Sequence, residues 1–212
     1  MTRSRAALSV LLAIGLLLGG LQPHPSPAQN PDSIETPLLQ SPPALSPPPD
    51  TSIDTDVPFV RSPQEVVVRM LELANVDADD VVYDLGSGDG RTPITAAQQF
   101  GARGVGIEIR PDLVQKARQR AEMAGVANRV EFRQGDLFEA NFSDATVVTL
   151  YLLPDVNTRL RPLLFEQLDP GTRVVSHGFD MDEWEPDTTV QVGDSYVYLW
   201  TIPEVVPQHL QQ

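Results

Sequence analysis

Three acidic side chains and one run of glycines carry the chemistry that can be read from this chain. The run is Asp84-Leu85-Gly86-Ser87-Gly88-Asp89-Gly90. Glycines at alternate positions let the main chain turn sharply and approach a bound molecule with no β-carbon in the way. A helix start just behind them offers free N–H groups to a polar or anionic ligand group. Spacing separates the ligands: a dinucleotide loop of the G-x-G-x-x-G kind needs a third glycine where this chain has Arg91. Glu108 lies about 20 residues past the loop, at the end of the next apolar run, where a carboxylate can accept hydrogen bonds from both hydroxyls of a ribose. That position suits dinucleotide enzymes equally, so Glu108 alone indicates only a nucleoside. Asp136, in Gly135-Asp136-Leu137-Phe138, follows the third apolar run. Taken singly, Asp136 reads as a helix N-cap and Glu108 as a solvated strand end. Three acids in order at the ends of three successive strands argue for one site.

The elements that must position them alternate between strand and helix. Ser62-Pro63-Gln64-Glu65 reads as a helix start, with Ser62 as N-cap and Glu65 closing a capping box. Val66, Val67, Met70, Leu71 and Ala74 give that helix its apolar face. Val81 to Leu85 is a short strand, and Thr92-Pro93 starts a helix running to Phe100. Gly104 to Ile109 is the second strand. A helix then opens at Pro111, turns Leu113, Val114, Ala117 and Ala121 inward, and stops at Gly125. Val130 to Arg133 and Thr146 to Leu152 are the third and fourth strands, the latter apolar throughout as a doubly covered strand should be. A helix is expected between Asp155 and Leu168, kinked or split at Pro162. Thr172 to Ser176 is the fifth strand, and Val190 to Val192 with Tyr196 to Ile202 form a closing antiparallel pair around Gly193-Asp194-Ser195. Five parallel strands with crossover helices and a terminal hairpin make a Rossmann-like, doubly wound α/β sheet.

With an acid just before it, the G-x-G-x-G loop resembles motif I of class I S-adenosylmethionine (SAM) dependent methyltransferases. That resemblance implies a cofactor, S-adenosyl-L-methionine, held by Asp84, Gly86, Ser87, Gly88, Gly90, Glu108, Asp136 and Leu137. In that pattern the acid at Asp136 receives the adenine amino group and neighbouring apolar groups flank the ring. Further runs narrow the likeness: Pro58-Phe59-Val60-Arg61-Ser62-Pro63, Tyr151-Leu152-Leu153-Pro154 and Ser176-His177-Gly178-Phe179-Asp180-Met181. They are similar to the small membrane-anchored protein-lysine methyltransferases related to the mitochondrial enzyme that acts on ATP-synthase c-subunits. The similarity spans Pro58 to Ile202; Arg61 departs from it, where a small residue or proline is expected.

The resemblance implies methyl transfer to a protein lysine, with Tyr151 and His177 at the reacting side. Tyr151 either lines the methyl-transfer site or only packs on the cofactor. His177 is either a proton acceptor or structural, and Trp184 is either a lid or core. A small-molecule methyltransferase of the same fold and a non-catalytic nucleoside-binding domain are the competing readings. The three histidines, His24, His177 and His209, are dispersed, which gives no metal constellation.

Composition limits the partners. The net charge is −14, and beyond residue 57 there are 24 acids against 13 bases. Such a surface repels phosphate backbones, so nucleic acid is not the expected partner, and it attracts a basic protein segment instead. No cysteine is present, which rules out disulfides, thiolate metal sites, a cysteine nucleophile and a lipid-modified cysteine. Arg3 and Arg5, the apolar run from Ala6 to Leu21, and Ser26-Pro27-Ala28 have the order of a secretory signal. Residues 1–28 are therefore expected to be a signal peptide or membrane anchor that exports or tethers the rest of the chain. A domain facing the cytosolic cofactor supply stays open. Eleven of the 20 prolines fall between Gln22 and Pro58, so residues 29–57 are expected to be a disordered linker. Residues 58–212 are the expected catalytic domain, monomeric.

Overall fold

The computed structural model describes residues 60–210 of the chain. The expected signal segment, the linker and the Pro58-Phe59 pair lie outside the described residues. Within them, the elements are α1 (Gln64–Leu73), β1 (Val81–Leu85), α2 (Arg91–Thr95), β2 (Arg103–Glu108), α3 (Pro111–Met123), β3 (Val130–Gln134), β4 (Val147–Leu150), α4 (Pro154–Gln167), β5 (Arg173–His177), β6 (Thr188–Val192) and β7 (Ser195–Thr201). The strands form one sheet in the order β3-β2-β1-β4-β5-β7-β6. All neighbours from β3 to β5 are parallel, while β7 runs antiparallel to both β5 and β6. Strand order reverses between β1 and β4, the place where an open α/β sheet leaves a crevice.

Alternation along each central strand divides the core between the two faces of the sheet. Val82, Val147 and Val175 pack with the buried side of α1, Val66, Val67, Met70, Leu71 and Ala74. Tyr83, Leu85, Val148, Leu150 and Val174 face the opposite layer, with Leu160, Leu164, Trp184 and Trp200. A strand buried on both faces has no polar side to show, which is why β4 reads as an unbroken apolar run. Trp184 is core rather than lid: it is buried between Phe165 and Trp200, and its carbonyl accepts from the Trp200 indole N–H at 2.7 Å. The inward residues of α3 are the four expected, Leu113, Val114, Ala117 and Ala121.

Several local expectations are corrected. Ser62 does not cap α1. Pro63 occupies the cap position without a side-chain hydrogen bond, and the Ser62 hydroxyl is committed to His177 Nδ1 at 2.8 Å. The helix after the glycine loop begins one residue early, at Arg91, and widens into a π-type turn over Ala96–Phe100 that Gly101 ends in the left-handed region. Pro162 neither splits α4 into two pieces nor ends it, since the helix runs unbroken from Pro154 to Gln167. It sits on the exposed face, where water can meet the carbonyl left without its N–H partner, while Leu160, Arg161 and Leu164 anchor the buried face. Among the described residues no helix joins β3 to β4. Residues 135–146 instead cross as turns held from α4, with the Phe142 N–H donating to Gln167 Oε1 at 3.0 Å and Gln167 Nε2 donating to the Ala140 carbonyl at 3.2 Å.

Candidate active site

A cavity of about 610 Å³ opens at the carboxyl ends of β1, β2 and β4. Its wall includes Asp84, Gly86, Ser87, Glu108, Asp136, Leu137 and Tyr151 from the sequence reading, but not Gly88, Gly90 or His177. Each of those three acts on the wall from behind. The Gly88 N–H donates to Glu108 Oε2 at 2.8 Å, and the Arg110 N–H donates to Oε1 at 2.9 Å. The carboxylate is thereby pinned at both oxygens, each of which keeps lone pairs for a ligand hydroxyl. Gly90 has φ +75°, and a β-carbon there would come within 2.5 Å of the Phe132 ring. Its absence lets the loop close on β3 and α3. Gly86 faces the cavity at φ +83°, where a β-carbon would lie 2.9 Å from Leu152.

Asp84 is buried at the base of the cavity and accepts from the Thr149 hydroxyl at 2.6 Å. Burial pushes its carboxyl up to about 7; the Thr149 and Thr92 hydroxyls oppose that rise, and the nearby Glu108 and Asp89 charges add to it. Such a group takes its charge readily once a cation sits beside it. The Ser87 hydroxyl is buried on the same wall with no hydrogen-bond partner among the described residues. An unpaired buried hydroxyl costs roughly 1–3 kcal/mol, which a polar ligand group would relieve. Gly106 makes room for that hydroxyl, since a β-carbon there would lie 2.6 Å from Ser87 Oγ. Asp136 accepts from the Phe138 N–H at 2.9 Å, which fixes the carboxyl at the rim, and Ile109 and Leu137 supply apolar wall beside it.

Sequence reasoning passed over Asp89. It is 2% exposed and faces three guanidinium groups, with Arg91 at 2.8 Å, Arg61 at 3.8 Å and Arg120 in contact; burial raises its carboxyl pKa, but the three cations outweigh that and hold it below the usual range. Arg91 also donates to the Ser62 carbonyl at 2.7 Å. These bonds tie residues 60–62 across the cavity as a strap. Arg61, the departure from the expected pattern, is part of that tie. The signal was diffuse: three arginines at unrelated spacings meet one aspartate only after folding.

On the β4–β5 side the wall is aromatic. The Tyr151 ring stacks on His177 at 3.9 Å between centroids and 26° between planes, with Phe179 at 6.4 Å. His177 is 3% exposed, and its Nε2 lies 3.0 Å from Ser195 Oγ, opposite the Ser62 contact. Burial pushes its pKa down, so the imidazole is neutral near pH 7. Both ring nitrogens are thus occupied by serine hydroxyls, behind Tyr151 rather than in the cavity. Arg159 lies over the Phe138 ring at 4.3 Å and completes the rim.

The sheet order, the glycine loop at the switch point and acids at the ends of β1 and β2 and just past β3 define a class I methyltransferase fold with a nucleoside-sized crevice. Comparison with known proteins makes this particular. Residues 84–188 match the family model described as the ANTKMT methyltransferase domain. A protein-lysine N-methyltransferase of Saccharolobus islandicus is 47% identical over 153 residues, 70% of this chain and 95% of that one. The mouse adenine nucleotide translocase lysine N-methyltransferase is 35% identical over 147 residues, 69% of this chain, and the match spans only 63% of its length. A solved structure described as an RNA methyltransferase from Salinibacter ruber, in complex with S-adenosyl-L-homocysteine, is 67% identical with a TM-score of 0.71, covering 72% of this chain and all of that one. The chain belongs to this family of SAM-dependent methyltransferases, and it is an enzyme of that class.

Proposed function

We propose that the enzyme transfers a methyl group from S-adenosylmethionine to the side-chain amine of a protein lysine. The observation that carries this reading is one continuous cavity that joins the Ser87, Glu108 and Asp136 wall to Tyr151. Glu108 would accept from the ribose hydroxyls and Asp136 from the adenine amino group, with Ile109 and Leu137 beside the base. The glycine loop with Asp84 and Ser87 receives the amino-acid end, which brings a positive charge to the Asp84 carboxyl. S-adenosylmethionine supplies a methyl carbon on a sulfonium, a leaving group that needs no acid. The chain's own part is therefore to align the acceptor and to exclude water. A lysine amine, with an unperturbed pKa of about 10.4, must arrive without its proton, which an apolar channel of Tyr151, Leu152, Leu153 and Phe179 favours.

Two relatives are named for lysine methylation and one for RNA. The 24 acids against 13 bases beyond residue 57 favour a basic protein over a phosphate backbone. Tritium-labelled methyl groups from SAM, offered with the protein and RNA fractions of the source cell, decide between them. Label in protein, mapped by mass spectrometry to lysine, supports the proposal, whereas label in RNA or only in small metabolites refutes it.

We further propose that residues 1–28 export or anchor a monomeric catalytic domain through the 29–57 linker. The order of basic, apolar and small residues supports this. Among the described residues no helix is long and apolar enough to cross a membrane. Membrane fractionation of the full chain and of a chain lacking residues 1–28 tests the role of that segment.

A further inference from the structure

Tyr151 reaches the cavity from the end of β4, yet what orients its ring comes from two remote parts of the chain. His177 lies beneath it in near-parallel contact at 3.9 Å. Ser62 of the strap, 115 residues earlier, meets one nitrogen of that imidazole, and Ser195, at the start of β7, meets the other. A neutral imidazole held between two hydroxyls donates from one nitrogen and accepts at the other in either tautomer. The ring plane is thus fixed at both ends. Gly178, at φ +81°, turns the chain just past His177 so that even a β-carbon would stand 3.6 Å from the Tyr151 ring. Its N–H donates to the Tyr196 carbonyl at 2.7 Å, which locks this turn to the hairpin. The strap is held independently, through Arg91 on the Ser62 carbonyl.

We propose that His177 is a positioning residue, which uses its bonds to Ser62 and Ser195 to set the plane of the Tyr151 ring at the acceptor side of the cavity. The inference rests on the reading of Tyr151 as a wall of the methyl-transfer site. It gives the strap a second role, because the segment that lines the cavity at residues 60–62 also supplies part of the support beneath the acceptor wall. Misplacing a reacting group by an ångström can cost about 100-fold in rate, so a small rotation of the Tyr151 wall that places the acceptor is measurable.

Two readouts on the full chain test it. In protein carrying ¹³C-ring-labelled tyrosine and saturated with S-adenosylhomocysteine, the Tyr151 resonances are assigned by their loss in Tyr151→Phe. In Ser62→Ala and in Ser195→Ala they should move away from their wild-type positions and broaden, while Ser62→Thr restores them. Resonances unchanged in both alanine variants would overturn the proposal. The second readout is turnover with poly-L-lysine as the acceptor probe. His177→Phe should lower kcat by about tenfold with the KM for SAM little changed, and should have no further effect in a Tyr151→Ala background. If the His177→Phe loss persists undiminished in that background, His177 acts elsewhere and the proposal fails alone. If Tyr151→Ala keeps full turnover, the reading of Tyr151 fails and carries the proposal with it.

Discussion

On the β1–β3 side of the cavity, main-chain groups hold two of the wall's carboxylates, Glu108 and Asp136. The Gly88 and Arg110 N–H groups hold Glu108, the Phe138 N–H holds Asp136, and glycine angles shape the loop between them. On the β4–β5 side, side chains hold the wall: Tyr151 lies on His177, which two serines fix from different parts of the fold. Backbone placement depends on short segments whose spacing is written locally. Side-chain placement depends on contacts that no local pattern announces. The first arrangement suits a ligand common to a whole class of enzymes, and the second can be altered one residue at a time to suit a particular acceptor.

Cutting the first half should have the largest effect. If Glu108 holds a ribose as proposed, Glu108→Ala removes two charge-assisted bonds, each worth about 1.5–3 kcal/mol, and should weaken S-adenosylhomocysteine binding by at least about 100-fold in calorimetry. Unchanged affinity would break the assignment of this side to the donor. Gly90→Ala should come next, costing roughly 1–3 kcal/mol of overpacking beyond its left-handed backbone strain, because the new methyl meets Phe132 and Ala117. Gly125→Ala serves as its control, since Gly125 has similar φ but nothing within 4 Å, and should cost only the left-handed strain of about 1–2 kcal/mol. Thermal melting separates the two, and equal losses would show that backbone strain alone matters.

A pH experiment sharpens the comparison further. Because the folded Asp84 carboxyl titrates near 7, above its ordinary 3.8, the donor-free protein binds an extra proton between those values. Its stabilising share is complete below about pH 4 and is lost as pH rises toward 7. Asp89, whose pKa is lowered, acts the other way: its share is present above the ordinary carboxylate pKa and is lost as pH falls below it. A cationic donor should therefore expel a proton from Asp84 on binding near pH 6. Calorimetry in two buffers of different ionisation enthalpy would detect this, and Asp84→Asn should abolish it. The smallest expected effect lies in the second half: Tyr151→Phe keeps the stacked ring and should keep most of the turnover. A large loss in that variant would assign the work to the hydroxyl instead.

Much of the fold was legible because its signals are short-range. Val81–Leu85 has the expected bounds, the inward face of α3 is the expected set of four residues, and the terminal pair closes around Gly193-Asp194. Pro162 misled as to a break in α4, because the rule against interior proline concerns one lost bond and one clash. An exposed position and a well-buried opposite face outweigh both. Ser62 misled for the opposite reason: its local pattern fits a capping box, but a histidine 115 residues away takes the hydroxyl.

Taken by itself, the sequence determined the alternation of strands and helices, the glycine loop and the acids at the strand ends, because each follows from periodicity or from spacing within one turn. Folding in three dimensions is what gathers Arg61, Arg91 and Arg120 on Asp89, leaves Ser87 without a hydrogen-bond partner among the described residues, and sets His177 behind Tyr151 between two serines. Those are meetings of side chains far apart along the chain. Their energy exists only once the sheet has ordered, so nothing in the neighbouring residues records it.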